Sequence, residues 1–90
     1  MPTADYNPVF VHLEGDIDLG AAGELLRRLT IATGLSEDVV IDLRDVTFLD
    51  SSGVGILAQA VRLGATLVVD EAPPNVRRIV EISGLIEPVS

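Results

Sequence analysis

Three short apolar runs, each followed by a stretch with helical spacing, set the kind of fold this chain can adopt. Residues 9–14, Val-Phe-Val-His-Leu-Glu, put Val9, Val11 and Leu13 on one face and Phe10, His12 and Glu14 on the other, the period of a strand. Gly15-Asp16-Ile17-Asp18 reads as a turn. Ala22, Leu25, Leu26, Leu29 and Thr33 then share one side of a helix, with Glu24, Arg27 and Arg28 outward, and Gly34 closes it. Val39-Val40-Ile41-Asp42-Leu43 is the pattern of a central strand covered on both faces. A second helix is expected from about Ser52 to Leu63, stopping at Gly64. Residues 65–69, Ala-Thr-Leu-Val-Val, form another buried strand. Pro73-Pro74 opens a third helix with Val76, Ile79 and Val80 on one face and Gly84 as its C-cap. Strand and helix alternate three times, which implies an α/β architecture with a small, mostly parallel sheet.

The rest of the composition narrows the function classes. Ninety residues support one modest core, so residues 1–90 are read as a single domain. There is no Cys and only one His, His12, so neither disulfides nor a metal can staple the fold, and no cofactor is expected. Six Arg, no Lys and fourteen acids give a net charge of −8, which repels a phosphate backbone and excludes nucleic acid as a partner. The N-terminus has no signal-peptide pattern and no apolar run approaches the ~20 residues that span a bilayer. The expectation is a soluble, unprocessed chain without direct membrane insertion, and the absence of Cys fits a reducing cytoplasm.

Phe48-Leu49-Asp50-Ser51-Ser52-Gly53-Val54-Gly55 is the most unusual passage, since it follows a strand and opens a helix with two hydroxyls and two glycines. Two readings compete. In one, Asp50, Ser51 or Ser52 is an N-cap, contributing ~1 kcal/mol. In the other, the second serine and the glycines accommodate something else, because a cap needs one side chain and each helical glycine costs about 1 kcal/mol relative to Ala. A phosphate on Ser52 suits that position, where the helix dipole and free N–H groups favour negative charge. On a helical wheel Val54, Leu57, Ala58 and Val61 gather on the side expected to face the sheet. Gly55, Ile56, Gln59 and Leu63 lie with Ser52. Ile56 and Leu63 are then either covered by neighbouring elements or part of a docking stripe that charge on Ser52 would oppose.

Catalysis has little support. A Ser-His-Asp constellation would need His12 within reach of Ser51 or Ser52 from a different element. Gly53-Val54-Gly55 lacks the third glycine of a dinucleotide fingerprint and the lysine of a P-loop. The expectation is a binding protein, not an enzyme.

Asp50-Ser51-Ser52-Gly53-Val54-Gly55 after a Val-Val-Ile-Asp-Leu strand resembles the signature of STAS domains, specifically the bacterial anti-sigma factor antagonists. Gly15-Asp16-Ile17-Asp18 is similar to that family's Gly-Glu-Leu-Asp turn, Val76-Arg77-Arg78 to the start of its third helix, and Ser83-Gly84-Leu85 to its Ser-Gly-Leu. The resemblance implies a STAS-like sheet of about four strands, trimmed at both ends, with residues 1–8 as a vestigial first strand. It implies that an anti-sigma factor serine kinase phosphorylates Ser52, with Ser51 the alternative acceptor, and that the unphosphorylated chain binds the kinase and frees a sigma factor. Asp18, Asp50 and Gly53 would border the phosphorylation site; Ile56, Gln59 and Leu63 would contact the partner. The two aspartates have a plainer role open to them, as helix caps. The trimmed ends admit a homodimer. The resemblance leaves room for a subunit regulating a lipid-transport ABC transporter, a stress-complex scaffold or the tail of an anion transporter. Retention of both serines favours the antagonist.

Overall fold

The computed structural model describes residues 8–36 and 38–86. The chain runs β1 (Val9–Ile17), α1 (Leu19–Leu35), β2 (Val39–Leu49), α2 (Ser51–Arg62), β3 (Thr66–Val68) and α3 (Pro74–Ile82). The alternation read from the apolar runs is present. The sheet is parallel, in the order β1-β2-β3, with β2 central as its composition implied. Three strands lie among the described residues against about four expected. Most of the stretch assigned to a vestigial first strand, residues 1–7, falls outside them.

Both crossovers step the same way along the sheet, so right-handed connections send α1 and α2 to one face. There Val11, Leu13 and Ile17 of β1 and Ile41, Leu43, Val46 and Leu49 of β2 meet Leu25 and Leu29 of α1, Leu57 of α2, and Val76 and Val80 of α3 in a single buried cluster. Leu13, Ile41, Leu43, Leu49 and Leu57 are almost completely excluded from water, each worth about 1.5–3 kcal/mol of apolar burial. The opposite face carries Phe10, His12, Val40, Asp42, Thr66 and Val68, none of them buried, and Phe10 is 74% exposed. The expectation that β2 is covered on both faces is therefore corrected. A run such as Val39-Val40-Ile41 reads the same whether its second valine is covered or half-exposed.

Element ends differ from the sequence reading for local reasons. Gly15-Asp16-Ile17 does not turn but continues β1: Gly15 takes φ +79°, and the pairing with β2 slips between His12 and Glu14 and again between Gly15 and Asp16. Residues of turn character are thus absorbed as strand irregularities. α1 runs past Gly34 to Leu35 and is closed by Ser36, whose N–H donates to the Ala32 carbonyl. Its buried stripe is Leu25, Leu29 and Ala32, while Leu26, expected in the core, is 40% exposed. Arg28 points outward as expected and donates to the His12 carbonyl at 3.0 Å, tying α1 to β1. α3 begins at the Pro pair, buries Val76 and Val80, and is followed by Gly84 at φ +78°.

Candidate functional site

Parallel register brings the ends of β1 and β2 side by side, with Ile17 opposite Leu49. The next residue on each strand is an aspartate that caps the following helix. Asp18 Oδ1 accepts from the Ala21 N–H at 3.1 Å. Asp50 Oδ1 accepts from the N–H groups of Ser52 at 2.9 Å and Gly53 at 3.2 Å. The Asp50 N–H donates to the Ile17 carbonyl at 3.3 Å, which ties the start of α2 to the end of β1.

This arrangement separates the two readings of the serine pair. Asp50 is the α2 cap, so neither serine is needed for it. The hydroxyls of Ser51 and Ser52 make no hydrogen bond among the described residues. Ser51 is exposed and Ser52 half-buried. One expectation needs correcting: the Ser52 and Gly53 amides are not free to receive a phosphate, because the Asp50 carboxylate holds them. Added charge on Ser52 would meet a carboxylate instead. Asp16, beside these caps, accepts from the Thr47 hydroxyl at 2.6 Å. None of Asp16, Asp18 and Asp50 forms an ion pair among the described residues.

The double acceptance by Asp50 has a measurable consequence. Asp50→Ala removes the cap and should cost about 1 kcal/mol, lowering the Tm by roughly 4–8 °C in a domain this size. Asp50→Asn, which keeps an acceptor oxygen, should lose much less. Thermal unfolding followed by circular dichroism checks both.

Gly53 and Gly55 divide in role. A Cβ on Gly53 would lie 2.6 Å from Leu49 Cδ1, 2.7 Å from Ile17 Cγ2 and 2.9 Å from the Ile17 carbonyl oxygen. The close approach anticipated for the glycines is made here by the end of β1. At Gly55 a Cβ would meet nothing within 4 Å.

Ile56, Gln59 and Leu63 come together along one wall of a furrow between α2 and α1, whose other wall is Leu26, Thr30 and Thr33 over a floor of Leu29 and Ala60. The furrow encloses only about 20 Å³, room for a single water, so it is a surface groove rather than a small-molecule pocket. Ser52 lies one turn before Ile56 on the same side of α2. Ile56 is half-buried and packs on the core cluster, whereas Gln59 is exposed and Leu63 is 62% exposed. The wheel assignment also shifts: α2 buries Gly53, Leu57 and Ala60, while Val54, Ala58 and Val61 are half-buried. Sequence reasoning missed the α1 wall. Its signal is Leu26, an apolar residue that falls off the stripe of Leu25, Leu29 and Ala32.

His12 stands elsewhere. Its Nε2 is 2.8 Å from Asp45 Oδ2 and its Nδ1 is 3.9 Å from Asp42 Oδ2, on the open face of the sheet. Five residues of strand, about 16 Å, separate it from the end of β1 beside the α2 cap. It does not meet either serine, and no Ser-His-Asp constellation forms.

Comparison with known proteins is consistent with this geometry. A family model described as "Mlab, STAS domain" matches residues 2–87. The chain is 28% identical over 83 residues to the anti-sigma-B factor antagonist of Bacillus subtilis (strain 168), covering 88% of this chain and 76% of that protein. It is 30% identical over 87 residues to a STAS-domain containing protein of Pseudomonas aeruginosa (strain UCBPP-PA14), covering 92% and 86%. Its fold matches the solved structure of the anti-sigma factor antagonist SpoIIAA in its unphosphorylated form with a TM-score of 0.69, at 25% identity over 87% of this chain and 73% of that one.

Proposed function

The chain belongs to the STAS domain family, and on that footing we propose that it is an anti-sigma factor antagonist switched by phosphorylation of Ser52. Residues 1–90 act as one STAS domain in the cytoplasm. Unphosphorylated, the chain binds an anti-sigma factor serine kinase and so releases a sigma factor. The kinase then transfers the γ-phosphoryl group of its ATP to the Ser52 Oγ, the hydroxyl proton passing to a base of the kinase and ADP leaving. The chain is the phosphoryl acceptor and a binding module, not a catalyst.

One observation carries this reading: Asp50 caps α2 by itself, leaving a half-buried serine hydroxyl free at a helix start in a chain similar to named antagonists. Asp18, Asp50 and Gly53 border the acceptor. Asp50 fixes the backbone of Ser52, and Gly53 lets the first turn sit against β1. The furrow wall of Ile56, Gln59 and Leu63 is the docking stripe, with Ser52 at its end. A phosphate there adds about two negative charges beside the Asp50 carboxylate and an apolar contact, which disfavours rebinding by repulsion and desolvation. The transporter-subunit reading fits less well, because members of that branch often replace the serine that this chain retains.

Incubation with an anti-sigma factor serine kinase and ATP should add one phosphate to the chain, and Ser52→Ala should abolish it. Mass spectrometry of the intact and digested chain reads both. Undiminished incorporation into Ser52→Ala would move the acceptor to Ser51 or elsewhere.

A further inference from the structure

We propose that the furrow between α1 and α2 seats an amphipathic helix of the partner kinase, so that α1, through Leu26 and Thr30, forms half of the docking surface. The inference rests on the antagonist reading and adds the occupant and the second wall. Its first support is charge. The chain carries twenty charged side chains, yet none of those among the described residues lines the furrow, and between Ser51 and Val69 the sole charge is Arg62. A partner reading this surface finds no carboxylate until it reaches the Ser52 end, where Asp18 and Asp50 cap the two helices. The two carboxylates are already held by backbone N–H groups, so the complementary segment is uncharged and apolar along the furrow and neutral and hydroxyl-bearing at the serine end.

Backbone accounting supports a helix. Both walls are helices whose own N–H and C=O groups are internally paired, so they offer no row of backbone donors and acceptors to an extended strand. A segment that lies between them and loses water must satisfy its own backbone, which a helix does. From Leu26 to Thr33 and from Ile56 to Leu63 the walls each cover about two turns, roughly 10 Å, the span of anchors at i, i+3 or i+4, and i+7. Ser52 lies one turn before Ile56, which lines the furrow, so a helix seated there brings the kinase close to the acceptor hydroxyl.

The test uses the full chain and the kinase that phosphorylates Ser52. Leu26→Glu and Thr30→Glu should each raise the KM for phosphorylation and the Kd of the complex at least tenfold, with kcat at saturation little changed. Ile31→Glu is the matched control: Ile31 is 51% exposed on the same helix, turned away from the furrow, and its variant should stay within about twofold of wild type. Circular dichroism melts should show all three folded, since each side chain is exposed. Phosphate incorporation reports on the antagonist reading; the split between Thr30 and Ile31 reports on the furrow. Equal effects of Thr30→Glu and Ile31→Glu, or none from either, would overturn the inference and leave Ser52 as the acceptor. A benzophenone amino acid in place of Gln59, an exposed residue of the furrow wall, should crosslink to one kinase helix with apolar residues at helical spacing. Crosslinks to a charged loop would also overturn it.

Discussion

Gly53→Ala is expected to be among the most damaging single-methyl additions in this chain, while Gly55→Ala, two residues later on the same helix, is expected to stabilise it. The added carbon at Gly53 would sit 2.6 Å from Leu49 Cδ1 and 2.9 Å from the Ile17 carbonyl oxygen. A leucine tip can move; a backbone carbonyl that accepts from Asp50 moves only by disturbing the join between β1 and α2. Overpacking of this kind costs about 1–3 kcal/mol, a Tm loss of roughly 4–24 °C for a domain of this size. At Gly55 the methyl enters open space and removes most of the ~1 kcal/mol helical penalty of glycine, so the Tm should rise. Thermal melts of the two variants decide the matter. A shift of the same sign in both would mean that α2 does not seat against the end of β1 as described.

The same pair of glycines shows where sequence reasoning reaches and where it stops. Asp50-Ser51-Ser52-Gly53-Val54-Gly55 marks a helix start that accommodates something, and that much is legible. Which glycine is filled by its own chain depends on how closely Ile17 approaches, and no local pattern encodes a contact between residues 36 positions apart. The element order and the central position of β2 followed from apolar runs and periodicity. The covered face of the sheet did not, because Val39-Val40-Ile41 alternates no polar residue. The turn read at Gly15-Asp16 became a strand irregularity, since pairing with β2 outweighed local turn preference. At the site, the sequence leaves Asp18 and Asp50 open to capping or to bordering the serines; their hydrogen bonds make them caps, and the register of Ile17 with Leu49 places both at one end of the sheet. Ile56, Gln59 and Leu63 share a furrow, but its second wall lies on another helix, and a single-helix wheel has no way to find it.

The second large effect concerns charge at Ser52. In the unmodified chain Ser52 lies beside a carboxylate that already holds the local amides and one turn before an uncharged furrow. No arginine pairs with the acids there. A phosphate here adds to carboxylates that have no ion-pair partner among the described residues, and a partner helix packed against it would have to desolvate the phosphate or stay away. Ser52→Asp, with one charge, should keep the fold, because an acid in the first turn suits the helix dipole, and should weaken kinase binding about tenfold. Full phosphorylation, with nearly twice the charge, should weaken it further. Net charge alone does not produce this result: the chain already carries −8, so an acid added far from the furrow, as in Arg78→Glu, should change affinity little.

The most direct measurement is the affinity of the kinase for two preparations of the same chain, one unmodified and one carrying a single phosphate on Ser52, by titration calorimetry at fixed ionic strength. The account predicts that the unmodified chain binds at least a hundredfold more tightly. Equal affinities for the two would contradict it.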